Sequence, residues 1–374
     1  MNKKMIALAI AGALVSPLAM ADSGNVNIYG VLHMSIDNLK ANDTAGNSDN
    51  KGWNVSSNSS RIGFKGNEDL GDGLKVNWQL EAGFDMDENT GVFASHRNSY
   101  MGLSGSWGEV RFGRHDTPYK LADGKARAMF DDTIADQGAI ISAGAASGST
   151  TGSSLWEGRV DNVMAYISPT WSGFHVAFAQ SYYAGANGAA GMDGNKQRAY
   201  SLAAVYENGP FNAALGYETR RDTSAGQAAG GSAASDNAKA TKLAFGYATG
   251  PFQVNLVWER QRADDSSAGD YQNRTNWALN GAYSFGSNRV IAEYVRGGES
   301  SKAGVNNSNT DGRLWAIGLE HTMSKRTNAY VMYAAMNNDT AGQFSLGASG
   351  HGDRVTAAAG FDQRALSLGL RHSF

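Results

Sequence analysis

From Asn25 onward the chain divides into segments of about ten residues in which apolar and polar side chains alternate, the period of a half-buried strand. The connections between these segments alternate as well, short and then long. The short ones are Gly105–Trp107, Ser168–Ser172, Asn208–Pro210, Thr249–Pro251, Gly286–Asn288 and Met323–Lys325; the long ones cover 39–54, 86–95, 116–158, 184–197, 222–238, 263–272, 299–311 and 338–360. A soluble sandwich has no reason to gather its short turns at one end. A barrel crossing an outer membrane has one, because its short turns face the periplasm and its long loops face outward.

The alternation is clearest near the start. Val26, Ile28, Leu32, Met34 and Ile36 fall on one face, and Asn27, Tyr29, His33, Ser35 and Asp37 on the other. Leu74, Val76, Trp78, Leu80, Ala82 and Phe84 stand in the same way against Lys75, Asn77, Gln79, Glu81 and Asp85. The pattern predicts strands at 26–38, 55–66, 73–85, 96–104, 108–115, 159–168, 173–183, 198–207, 211–221, 239–249, 252–262, 273–285, 289–298, 312–322, 326–337 and 361–374. The resulting fold class is all-β: a sixteen-stranded antiparallel transmembrane β-barrel with long extracellular loops. In lipid an unpaired strand edge costs several kcal/mol per group, so the last strand must pair with the first. Leu366, Leu368 and Leu370 alternate along that last strand, which ends on Phe374.

Composition agrees once the pattern is known. Residues 1–21 carry Lys3 and Lys4, an apolar run from Met5 to Val15 and then Ala19-Met20-Ala21, which is the order of a cleaved secretory signal peptide. The exported barrel is then residues 22–374. Without Lys3 and Lys4 the 32 basic residues become 30 against 35 acidic ones, which argues against nucleic acid as a partner. Cysteine is absent, so neither disulfides nor thiolate metal sites hold the fold. Mean hydropathy is −0.39 and no apolar run after the signal is long enough for a membrane helix. Trp78, Phe84, Trp171, Phe174, Phe211, Tyr217, Phe252, Trp258, Trp277, Tyr283, Phe285 and Trp315 sit near strand ends, where interfacial girdles belong.

The longest connection, 116–158, is rich in Gly, Ala and Ser and carries Asp116, Asp123, Asp131, Asp132 and Asp136. A loop of this length is functional or a sign of missed strands. Hung between neighbouring strands of a barrel, this third loop can fold into the lumen and set its acids against basic groups on the wall. Arg61 and Lys65 alternate with Ile62 and Phe64, and Arg111 with Val110 and Phe112, so all three point inward. By the same parity Arg97 shares a face with Met101 and Leu103, and Arg114 with Phe112. Both need a bulge, or a position above the lipid, to serve the constriction.

Catalytic readings find little support. G-x-S-x-G, H-E-x-x-H and G-x-x-x-x-G-K are absent, the seven histidines are scattered, and neither a cofactor nor a metal site is expected. Asp85–Gly91 is loosely like a calcium loop, but His96 occupies the position of the closing glutamate.

The segments Val26–Gly30, Ser59–Gly66, Glu109–Arg114, Arg159–Pro169 with Ser172–Phe174, Ser324–Tyr330 and Leu368–Phe374, taken in order, resemble the general-diffusion porins of Gram-negative bacteria, in particular the neisserial branch. That resemblance implies a homotrimeric, water-filled channel for ions and small hydrophilic solutes, set among outer-membrane lipid and lipopolysaccharide. It also implies a third loop folded inward as an eyelet, with Arg61, Arg97 and Arg159 in the facing basic cluster. The expected constriction set is Arg61, Arg97, Arg111, Arg114, Arg159, Asp116, Asp131, Asp132 and Tyr29, with a tilt toward anions through Arg61, Arg111 and Arg159. The other readings are a channel with a dedicated solute, an outer-membrane barrel enzyme or adhesin, and a soluble secreted lectin-like β-protein.

Overall fold

Strands with one apolar and one polar face can satisfy every backbone group in lipid only by curling into a closed sheet with the apolar face outward. The computed structural model of the chain has this form. It describes residues 26–42, 48–88, 95–127, 130–143, 156, 159–182, 198–223, 235–265, 270–302, 304–347, 351–352 and 358–374. The export segment 1–21, and within the third loop residues 128–129, 144–155 and 157–158, lie outside the described residues.

Sixteen antiparallel strands make the barrel. They are β1 (Val26–Asn42), β2 (Ser48–Ser57 and Arg61–Gly71), β3 (Leu74–Gly83), β4 (Ser95–His96 and Ser99–Gly105), β5 (Gly108–Asp116), β6 (Arg159–Ile167), β7 (Phe174–Tyr182) and β8 (Arg198–Asn208). They continue with β9 (Phe211–Thr223), β10 (Ser235–Thr249), β11 (Phe252–Asp265), β12 (Asp270–Phe285), β13 (Asn288–Gly297), β14 (Gly312–Ser324), β15 (Thr327–Asn338) and β16 (Asp362–Ser373). Each strand pairs with the next, and β1 closes on β16 from Val31 opposite Ser373 to Asn42 opposite Asp362. A short hairpin, Ser301–Lys302 with Val305–Asn306, rises from the β13–β14 connection.

The apolar face is the exposed one. Ile28, Leu80, Met101, Phe112, Leu202, Phe245, Leu256 and Leu368 are all solvent-exposed, whereas His33, Ser35, Asp37, Glu218, Lys242, Glu259 and Asn276 are buried inside. This inversion of a soluble core is what lipid outside and a packed lumen inside require. Aromatics form belts on the outer face: Phe211 with Tyr247 and Phe252 with Tyr283 beside the short turns, and Trp277 with Tyr294 and Trp315 with Tyr333 toward the long loops. Two glycines let tyrosines lie flat on the inner wall. A Cβ at Gly63 would stand 2.3 Å from the Tyr29 ring across the β1–β2 pair, and one at Gly369 would run into Tyr330.

β2 departs from expectation in two ways. β2 begins at Ser48 rather than 55, because 48–57 pairs with the upper half of β1 despite its loop-like composition. β2 is then interrupted at Asn58–Ser60, where Ser59 takes a φ of 52°.

The third loop enters the barrel. It leaves β5 through two one-turn helices, α1 (Pro118–Leu121) and α2 (Gly124–Arg127), followed by a 3-10 turn at Gln137–Ala139. Thr117 caps α1 by accepting from the Lys120 N–H, and Pro118 suits its first position. Phe130, Ile134, Ile140 and Ile141 then bury themselves against the inner side chains Val257, Ile291, Val295, Leu314, Met332 and Met336. These wall positions belong to β11–β15. One half of the lumen is therefore dry and holds the loop.

Candidate functional site

The other half of the wall, β1–β6, carries charge. Tyr29 on β1 donates its hydroxyl to Glu81 Oε2 on β3 at 2.8 Å, and Arg97 Nε reaches Glu81 Oε1 at 2.6 Å. Arg97 turns inward because β4 is interrupted at Arg97–Asn98, which resets the alternation that parity alone would have sent toward lipid. Arg111 on β5 clasps Glu109 with two hydrogen bonds, at 2.8 and 2.9 Å, and its guanidinium lies 4.5 Å from the centre of the Tyr100 ring.

Asp116 sits where β5 becomes the loop. Its carboxylate takes Lys120 Nζ at 2.8 Å and Arg159 Nε at 3.3 Å, and Asn98 supplies a further hydrogen bond at 2.8 Å. Lys120 is largely buried, which lowers its pKa while Asp116 opposes the shift. Arg61 on β2 extends to the loop itself, with Nη1 3.2 Å from Asp132 Oδ2.

Within the loop, Arg127 contacts Asp131 and Asp136, each at 3.1 Å. Carboxylate oxygens of Asp131, Asp132 and Asp136 lie within 4.8 Å of one another, and Arg61 and Arg127 already bridge them. Burial pushes the Asp136 carboxyl up to about 7, with Arg127 pulling the other way and Asp131 adding to the rise.

Buried polar contacts hold the loop to the far wall. Glu259 of β11 accepts from the Tyr119 hydroxyl at 2.5 Å, the Ser142 N–H at 2.8 Å, Gln261 at 2.6 Å and Asn276 at 2.9 Å. Lys242 of β10 pairs with Asp123 at 3.0 Å with both side chains buried, and Asn280 donates to Gln137 at 3.2 Å. The last long connection also bends inward. Its Phe344 and Leu346 join the loop's apolar cluster, and the Gly347 N–H donates to the Ile134 carbonyl at 3.1 Å. Beneath the loop, on the side of the short turns, lies a recess lined by His33, Asp131, Glu320, Tyr330 and Arg371 among others.

The structure thus brings Tyr29, Arg61, Arg97, Arg111, Arg159, Asp116, Asp131 and Asp132 to the inner wall and its loop. Arg114 is not among them. The β5–β6 register slips between Gly113 and His115, and Arg114 remains on the side of the exposed Phe112, paired with the exposed Asp161. Its assignment to the constriction is therefore corrected: it belongs to the outer face.

Glu81, Glu109, Lys120, Arg127 and Glu259 were missed. The alternation of β3 already put Glu81 beside Gln79 and Asn77 on the polar face, and its partners follow from the strand order. Glu259 gave no such signal, since a carboxylate flanked by Val257 and Gln261 reads equally well as a wetted wall residue. Asp87, in the stretch weighed as a calcium loop, accepts from the Ser57 N–H at 2.9 Å.

Comparison with known proteins gives the same picture. A family model described as Gram-negative porin matches residues 7–342. Outer membrane porin protein 32 of Delftia acidovorans is 29% identical, and the match covers 100% of both chains. Major outer membrane protein P.IB of Neisseria lactamica is 28% identical, again over 100% of both. Among solved structures, the anion-selective porin from Comamonas acidovorans superposes with a TM-score of 0.72 at 25% identity, covering 93% of this chain and 99% of that one. With a closed sixteen-stranded barrel, an inward loop and a family match over most of its length, this chain belongs to the Gram-negative porins and is a diffusion channel of the bacterial outer membrane rather than an enzyme.

Proposed function

We propose that the chain works as a homotrimeric, anion-leaning pore for ions and small hydrophilic solutes, with its bore set by the 116–158 loop and the β1–β6 wall facing it. The observation that carries this reading is an asymmetry in the wall's ion pairs. In each of them the cation is the more exposed partner: Arg61 over Asp132 at 16% against 12%, Arg97 over Glu81 at 14% against 9%, and Arg159 over Asp116 at 18% against 10%. Arg111 over Glu109 follows the same order. Asp116 is moreover shared by Lys120 and Arg159, which leaves a positive excess there.

The loop side is reversed, with Asp131 more exposed than Arg127. A solute passing between them meets a field directed across the pore, which orients dipoles and favours anions along the wall. The description of the Comamonas acidovorans relative as anion-selective supports the sign. The homotrimer rests on family membership, and outer-leaflet lipid with lipopolysaccharide forms the surroundings of the outer face.

Single-channel recording in a planar bilayer under a salt gradient tests the reading. Openings in steps of three with a reversal potential of anionic sign are the expected result. A cationic reversal potential would overturn the selectivity, and openings that never group in threes would overturn the trimer.

A further inference from the structure

Each wall arginine of the constriction has a carboxylate partner: Arg61, Arg97, Arg111 and Arg159 meet Asp132, Glu81, Glu109 and Asp116. Arg371 has none. It stands on β16 opposite His33 of β1 on one side and Asn328 of β15 on the other, and makes no hydrogen bond or ion pair among the described residues. Glu320 of β14 likewise has no partner among them, because Arg289, opposite it on β13, donates instead to Gln253 at 2.9 Å.

Arg371 and Glu320 both line the recess beneath the inward loop. Only β15 separates their strands, so their backbones are about 10 Å apart across the sheet. The underside of the loop adds Asp131, which is held by Arg127 at 3.1 Å yet keeps 33% of its side chain exposed. The rest of the lining is largely apolar. Phe130, Ile291 and Met332 are buried there, and Gly318 lets them close up, since a Cβ at that position would stand 3.3 Å from both Phe130 and Met332. His33 lines the same recess at 1% exposure, with Nε2 2.9 Å from the Tyr330 hydroxyl and a buried Nδ1 that has no hydrogen-bond partner.

A recess holding an unmatched guanidinium, two carboxylates and an apolar surface selects by the pattern of charge rather than by its sum. A simple anion is repelled by Glu320 and Asp131, and a simple cation by Arg371. A small zwitterion with an apolar branch satisfies every group. Its carboxylate takes the guanidinium fork, its ammonium donates to Glu320 and Asp131, and its branch packs on Phe130, Ile291 and Met332. We propose that the recess is a transit site for free α-amino acids with aliphatic side chains, with Arg371 and Glu320 as the residues that set its specificity. A solute that has cleared the constriction is held there loosely before it leaves on the side of the short turns. The inference rests on the pore reading for access to the recess, but not on the anion preference.

Titration calorimetry on the full, folded, detergent-solubilised protein tests it with three probes: L-leucine, leucine amide, which lacks the carboxylate, and N-acetyl-leucine, which lacks the ammonium. Wild type should bind leucine about tenfold more tightly than either derivative. Arg371→Gln should weaken leucine about tenfold and leave leucine amide unchanged, whereas Glu320→Gln should weaken leucine and leave N-acetyl-leucine unchanged. If Arg371→Gln fails to fold, Glu320→Gln decides the matter. Leucine bound no better than its derivatives, or bound equally by wild type and the folded variants, would overturn the proposal. Channel recording in parallel separates the two readings: conductance without leucine binding removes only this site, and leucine binding without conductance removes only the pore.

Discussion

The Tyr119 hydroxyl, on the first turn of the inward loop, donates to the Glu259 carboxylate on the opposite wall at 2.5 Å. Both groups are fully buried, and burial together with the negative Glu259 raises the Tyr119 pKa well above its ordinary value. The phenol therefore stays a donor across the working pH range. A buried carboxylate is tolerable only when its lone pairs are filled, and here Ser142, Gln261 and Asn276 fill the rest.

Removing that acceptor should release the loop. Glu259→Ala strands several buried donors at once, with a cost of about 1–3 kcal/mol for each unsatisfied group. The barrel should still form, since its sheet is untouched. Channel recordings should show frequent flicker and a changed unitary conductance; steady openings indistinguishable from wild type would mean that the loop is held by its apolar contacts alone.

Those apolar contacts give a second handle. Ile140→Ala deletes a buried side chain from the cluster with Val295 and Leu314, and comparable truncations cost about 2–5 kcal/mol. Protease cleavage within 116–158 should accelerate in the inserted protein, while heat-modifiable migration on a gel persists.

The pair of Arg61 and Asp132 should govern ion preference in opposite senses. Arg61→Ala removes a wall cation and should shift the reversal potential toward cations, with a permeability ratio changed on the order of threefold. Asp132→Asn should shift it the other way. Arg114→Ala, on the outer face with Asp161, should leave the reversal potential where it was.

Asp136 makes the preference depend on pH. Its pKa in the docked loop is about 7, above the ordinary carboxylate value, chiefly through burial. The docked state thus holds the proton more tightly than a released loop, so its stabilisation is complete at low pH and is lost as pH rises through about 7. Over the same interval the loop gains a negative charge. Anion preference should fall between pH 6 and about 8 in wild type and stay flat in Asp136→Asn, read as reversal potential against pH.

Much of this was legible in the residues. Period-two alternation gave the strands because lipid outside and a polar lumen inside impose opposite demands on successive side chains, and Ile28 against Tyr29 shows both. Parity failed where the backbone does not keep step. Arg97 lies at an interruption that is not written in the alternation of its neighbours, whereas Arg114 keeps the outward face that parity gave it. Residues 48–54 looked like loop because Asp, Asn and Gly dominate them, yet their partners on β1 supply the ladder. The anchors Glu259 and Lys242 escaped because a charge facing a packed loop and a charge facing water occupy the same position in the pattern.

The loop covers one half of the wall and leaves the other half wet. Side chains on β11–β15 are committed to a fitted core, where changes of volume are felt by the whole assembly. The wall arginines Arg61, Arg97, Arg111 and Arg159 on β2, β4, β5 and β6 bear chiefly on their ion-pair partners. The charge of the wet wall can therefore be rewritten one arginine at a time without disturbing the packing that holds the loop in place.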